Sequence, residues 1–208
     1  MALTTWLTVV TICVLGAISP GPSLAIVLKQ TLSGGRRAGM ITAAAHGLGV
    51  GIYAFVSILG LAAVITASPD VFLLLQWSGA AYLAWLGIKG LLAKRQPQDD
   101  GLHPVLSTTT KPAREGFLVV LLNPKIAVFF LALFSQVVGA DTSLPGKLGY
   151  AATAMVIDAG WYTIVAWLFS NPRWLQTLRQ KAVWAERIFG VILVGLAGRM
   201  VARIIEGV

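Results

Sequence analysis

The sequence predicts an all-α membrane protein with six transmembrane helices. They form two three-helix halves, with helices 1 and 4 broken. Three observations carry that expectation. First, 57% of the 208 residues are hydrophobic and only 12% charged, with a mean hydropathy of +0.80. So few charges cannot cover a soluble domain of this size. Second, apolar runs recur along the chain, each near the roughly 20 residues that cross a bilayer. Third, proline interrupts two of those runs at matching places, at Pro20 and Pro124. The net charge of +8 could signal nucleic-acid binding. Here the basic residues fall in short connections between apolar runs, with no basic helix. They read as a topology signal, and no nucleic-acid partner is expected. Cys13, the single cysteine, excludes an internal disulfide and a multi-cysteine metal site. It is expected simply to pack.

The first span covers about residues 4–28 and holds Ser19-Pro20-Gly21-Pro22. The opening MALTTW has no basic side chain, and no small-residue cleavage site follows, so this run is expected to be retained rather than removed as a signal peptide. The second span, about 40–66, carries a small-residue face around Ala43, Gly47, Gly49 and Gly51 that permits close helix packing. The third is about 71–93, where Trp77, Tyr82 and Trp85 suit packing and interfacial positions. The fourth is about 116–138 and contains Asn123-Pro124-Lys125. The fifth, about 148–170, contains Asp158, and the sixth is about 184–202. Glu186, Arg187 and Arg199 make the sixth the least apolar, although all three lie near its ends, where long side chains snorkel. A five-span chain is the alternative.

Half one is expected over 1–93 and half two over 116–208, joined by a polar cytoplasmic linker, 94–115, in a single transporter domain. His103 lies in that linker and reads as solvated. Three spans per half is an odd number, so the second half would enter the membrane inverted. Pro20 and Pro124 mark the match, and Gly87 and Gly90 are paired with Gly195 and Gly198. Twelve Lys and Arg residues fall on the side of connections 1–2, 3–4 and 5–6, against Lys147, Arg199 and Arg203 on the other. The positive-inside rule then places both termini outside the cytoplasm.

A broken helix in lipid exposes backbone groups that cost several kcal/mol each if left unpaired, so breaks are tolerated where they line a cavity or pack within protein. Half-helix ends can there offer their dipoles to the two poles of a zwitterion. Ser19, Pro20, Gly21, Pro22, Asn123, Pro124 and Lys125 are the candidate substrate-binding residues. The competing reading makes each proline a mere kink. Asp158 lies near mid-span, where a carboxylate costs at least about 2.5–3.5 kcal/mol. It could bind a substrate ammonium, carry a proton, or pair with Lys125; Lys125 could instead snorkel to the headgroups. Trp161 and Tyr162 follow on the same helical face and could wall a site. His46 could be a proton group or could bond a neighbouring backbone carbonyl. Neither a metal-ligand spacing, a phosphate loop nor a nucleophile-and-base pattern is present. No metal, cofactor or catalytic residue is expected.

These motifs, with the GAAYLAWLG run from Gly79 to Gly87, the AVFFLALF run from Ala127 to Phe134, and Arg187-Ile188-Phe189-Gly190, resemble the LysE/RhtB family of bacterial amino-acid exporters. The likeness runs from about residue 4 to the end of span six. It implies a multi-pass protein of the bacterial inner membrane. Such a protein would export amino acids or close derivatives against protons, without a nucleotide. Its broken helices map onto Pro20, Gly21, Pro22, Asn123 and Pro124, and its membrane aspartate onto Asp158. The expected partners are the amino acid, protons and the bilayer, with a homo-oligomer left open. Rival readings are an exporter of another small solute or a cation, a membrane-embedded enzyme, or a membrane scaffold. The enzyme would need a histidine or second carboxylate facing Asp158.

Overall fold

The computed structural model describes residues 3–93, 111–139 and 141–206. His103 and most of the linker lie outside them. Seven helices follow one another: α1 Leu3–Ile18, α2 Pro22–Ala67, α3 Pro69–Leu91, α4 Pro112–Leu121, α5 Pro124–Phe134, α6 Leu144–Phe169 and α7 Pro172–Glu206. Proline opens five of these helices, where its fixed φ suits the first turn and its missing N–H removes no bond. Ser68, Asn123 and Ser143 cap α3, α5 and α6, each accepting a backbone N–H of the first turn. The expected linker overlaps α4, which begins at Pro112.

Both expected breaks are present. Ser19, Pro20 and Gly21 separate α1 from α2. Leu122 and Asn123 separate α4 from α5, and the two pieces are bent by 56°. A further reversal lies inside α2 at Gly35, whose φ of 75° and ψ of 178° are not helical. A side chain disfavours that conformation and glycine accepts it. Residues eight apart in a straight helix are about 12 Å apart, yet a Cβ on Gly39 would lie 3.0 Å from the Thr31 Cβ. Val27 and Ala43 share one core cluster. The arms 22–34 and 36–67 therefore run antiparallel, packed on each other.

Among the described residues, four helices are long and apolar enough to span a membrane: Pro22–Ala67, Asp70–Leu91, Leu144–Phe169 and Glu186–Glu206. The bent α4–α5 pair makes a fifth. The count falls short of the expected six because α2 runs from the second part of span one through all of span two. The remaining part of span one, α1, is a shorter apolar helix. Large apolar side chains face outward on the long helices, among them Val56, Leu74, Val156 and Val191. In water such a surface would be an aggregation liability. Against acyl chains it is the matching solvent. This is a multi-pass membrane protein.

The arm 36–67 and α6 form the centre and run antiparallel. A Cβ on Gly47 would lie 2.5 Å from the Ala159 Cβ, and one on Gly51 2.9 Å from the Met155 Cβ. The small-residue face thus does what its composition suggests. Helices α3 and α7 cross antiparallel at glycines. A Cβ on Gly87 would sit 2.8 Å from the Gly190 carbonyl oxygen, and one on Gly190 2.6 Å from the Gly87 carbonyl oxygen. The sequence paired Gly87 and Gly90 with Gly195 and Gly198 as repeat landmarks; the glycine that packs against Gly87 and Gly90 is Gly190. Gly195 and Gly198 have open space around their Cβ positions, and Gly190 is the close neighbour of both Gly87 and Gly90.

Candidate functional site

The two breaks and the middle of the central helix pair enclose one pocket, with about 60 Å³ of free space, room for a few water-sized groups. Its polar wall holds Ser19, Gly21, Ser23, His46, Asn123, Lys125, Asp158 and Tyr162. Its apolar wall is made by Ile126, Phe129, Phe130 and Phe189 with the thiol of Cys13.

Lys125 ties one break to the other. Its Nζ donates to the Ser19 hydroxyl and, at 3.0 Å, to the Pro20 carbonyl. It also lies 4.5 Å from the centre of the Phe189 ring, within cation–π range. The carbonyl end of α1 is the negative end of its dipole and favours a cation. Lys125 therefore does not snorkel outward. Asn123 caps α5 through its Oδ1, 3.0 Å from the Lys125 N–H, and turns its Nδ2 toward Ser23 Oγ at 3.5 Å. The start of α2 at Gly21 has no side-chain cap.

Asp158 faces a different partner from the one weighed in sequence. Its Oδ2 lies 2.6 Å from His46 Nδ1, and both residues are buried, at 8% and 1% exposure. The Asp158–Lys125 pair is thus replaced by Asp158–His46, and the backbone-bonded alternative for His46 by a carboxylate bond. The reason is depth. The second arm of α2 begins at Arg36 rather than near residue 40, so His46 sits about three turns in, level with Asp158. Tyr162 packs edge-on to the imidazole at 4.9 Å. His46 Nε2 is buried without a partner.

The candidate residues divide. Ser19, Gly21, Asn123 and Lys125 line the pocket, as do His46, Asp158 and Tyr162. Pro20 contributes its carbonyl to Lys125. Pro22 and Pro124 line a neighbouring groove instead. Trp161 packs beside the cluster of Val27, Leu28 and Tyr162, with its indole N–H buried and unpartnered. Sequence reasoning placed Ser23 only as the far flank of the Pro-Gly-Pro break that suggests a central site, and it assigned no pocket role to Cys13, Phe129, Phe130 or Phe189.

One pocket thus joins two helix breaks to a buried histidine–carboxylate pair, and its polar wall has the chemistry to meet a small charged solute. The family model for LysE type translocators matches residues 14–203. The chain belongs to this family. Among its LysE relatives, the threonine efflux protein of Escherichia coli (strain K12) is 28% identical over 193 residues, covering 91% of this chain and 94% of the relative. The uncharacterized membrane protein YahN of the same organism is 30% identical over 184 residues, 88% and 82% of the two chains. The leucine efflux protein of Klebsiella pneumoniae is 25% identical over 185 residues, 87% of each. No solved structure matches the chain significantly.

Proposed function

We propose that this LysE-family chain is a secondary exporter of amino acids, working as a proton antiporter in the bacterial inner membrane with both termini periplasmic. The observation that carries this reading is the two-poled pocket. Lys125 and the uncapped start of α2 form a pole for a carboxylate. Asp158, across the pocket, forms a pole for an ammonium. The relatives named as threonine and leucine efflux proteins support the same reading.

The chain works as a single transporter domain of six crossings, with α1 and residues 22–34 as the first. The halves form an inverted repeat, and several landmarks support it. Pro20 and Pro124 are 104 positions apart, as are Gly35 and Gly139; Pro69 and Pro172 are 103 apart, as are Gly87 and Gly190. Gly87 and Gly190 also meet each other, each against the other's carbonyl. Equivalent residues touch in this reciprocal way where a two-fold axis passes between them. An axis in the membrane plane makes equivalent helices antiparallel, as α3 and α7 are.

In the cycle, the solute enters from the cytoplasm and its ammonium competes with His46 for Asp158. A proton held by the His46–Asp158 pair and a solute ammonium there exclude each other, because one buried carboxylate balances one positive charge. Proton entry from outside thus favours solute release. The halves rock to expose the pocket alternately.

The test is efflux from cells overproducing the chain and fed a panel of dipeptides. One amino-acid class should leave faster than from empty-vector cells, and Asp158→Asn should abolish the difference. Equal efflux from wild type and vector, with the protein folded in the membrane, refutes the reading. A membrane-embedded enzyme now has the facing histidine that the sequence alone did not supply. It requires a chemically altered product in the same assay, and the family and its named relatives weigh against it.

A further inference from the structure

We infer that the seam between residues 22–34 and α4 is the cytoplasmic entrance for the exported solute, with Glu115 guarding its mouth. This rests on the exporter reading and orientation above. A groove with about 310 Å³ of free space runs along the seam, lined by Ile26, Leu118 and Val119, with Glu115 toward one end and Asn123 and Pro124 at the other. Asn123 also lines the central pocket. The two spaces therefore share a wall at the second break.

At the mouth, Gln30 Nε2 donates to Glu115 Oε2 at 2.8 Å, and Lys29 Nζ lies 3.5 Å from the same oxygen. Gln30 is 2% exposed. Burying an amide beside a carboxylate is costly compared with apolar packing of the same volume, so a seam meant only to stay shut would be built from leucine and phenylalanine. A polar closure has a property that apolar packing lacks: water or the solute's own ammonium can replace each of its bonds as it opens.

The solute suited to this entrance is a small zwitterion. Its ammonium meets Glu115, and its neutral side chain passes the apolar walls toward Asn123.

The test places a cysteine at Leu118 and labels it with a membrane-impermeant maleimide applied to inside-out vesicles, with the native Cys13 chain as background. Leu118→Cys should label, and adding Glu115→Ala should raise the rate about fivefold, the worth of a modest ion pair. No labelling above background, or a rate unchanged by Glu115→Ala, overturns the inference. A second arm joins Gln30→Cys to Glu115→Cys with an oxidant. Export should stop on cross-linking and return on reduction, and undiminished export by the cross-linked protein overturns the inference. Labelling needs no transport. A chain that exports nothing but labels as described therefore refutes the exporter reading and keeps only a seam that Glu115 holds shut. Normal export with unchanged labelling does the reverse.

Discussion

His46 and Asp158 lie 112 positions apart in sequence, yet their side chains meet at 2.6 Å. His46→Ala leaves a buried carboxylate without its partner. It should lower stability by about 1–3 kcal/mol, read as thermal unfolding in detergent, whereas His46→Gln keeps a donor and should recover much of that loss. Both variants should slow export and flatten its pH dependence, which a purely structural histidine would leave in shape. Lys125→Met removes the link between the breaks while keeping the stem. It should weaken export by about tenfold, one charge-assisted bond's worth, and Lys125→Arg should restore part of it. Asp158 was legible in the sequence because a carboxylate at mid-span has few structural explanations. Its partner was not, because nothing in sequence spacing places two residues on facing helices at one depth. Lys125 was legible as a candidate beside the second break, but its inward turn depends on the carbonyls freed at the other break.

At the scale of elements, the close crossings depend on particular glycines. Gly190→Leu forces a side chain against the Gly87 carbonyl and the backbone of Leu91. It should destabilise the α3–α7 pair by about 1–3 kcal/mol. Gly195→Leu, where a Cβ meets nothing, should unfold like wild type; equal unfolding temperatures for the two variants would contradict this packing. The sequence showed the broken helices plainly, since Pro-Gly-Pro and Asn-Pro are chemical facts about a backbone. It did not distinguish Gly190 from Gly195, because a glycine's letter does not say what it touches. The reversal at Gly35 explains why span two begins earlier than hydropathy suggested. The basic pair Arg36 and Arg37 lowers the local hydropathy without ending the helix.

At the scale of the whole molecule, an antiparallel centre, reciprocal α3–α7 contacts and a pocket at both breaks suit the alternating access proposed above. Composition and span lengths were enough to read an all-helical membrane protein. The division of the first span at Pro20 was readable as well; that its second part turns at Gly35 and packs back on span two was not, because only packing brings Thr31 against Gly39. A C-terminal alkaline phosphatase fusion should be active and a green fluorescent fusion dark; the opposite pattern would place the C-terminus in the cytoplasm. The most direct test of the central proposal is release of an amino acid from proteoliposomes, with and without an imposed proton gradient. With the outside more acidic than the lumen, the loaded amino acid should leave several-fold faster than without a gradient, and Asp158→Asn should erase the difference. Release by the wild type at the same rate with and without the gradient would contradict proton antiport through this pocket.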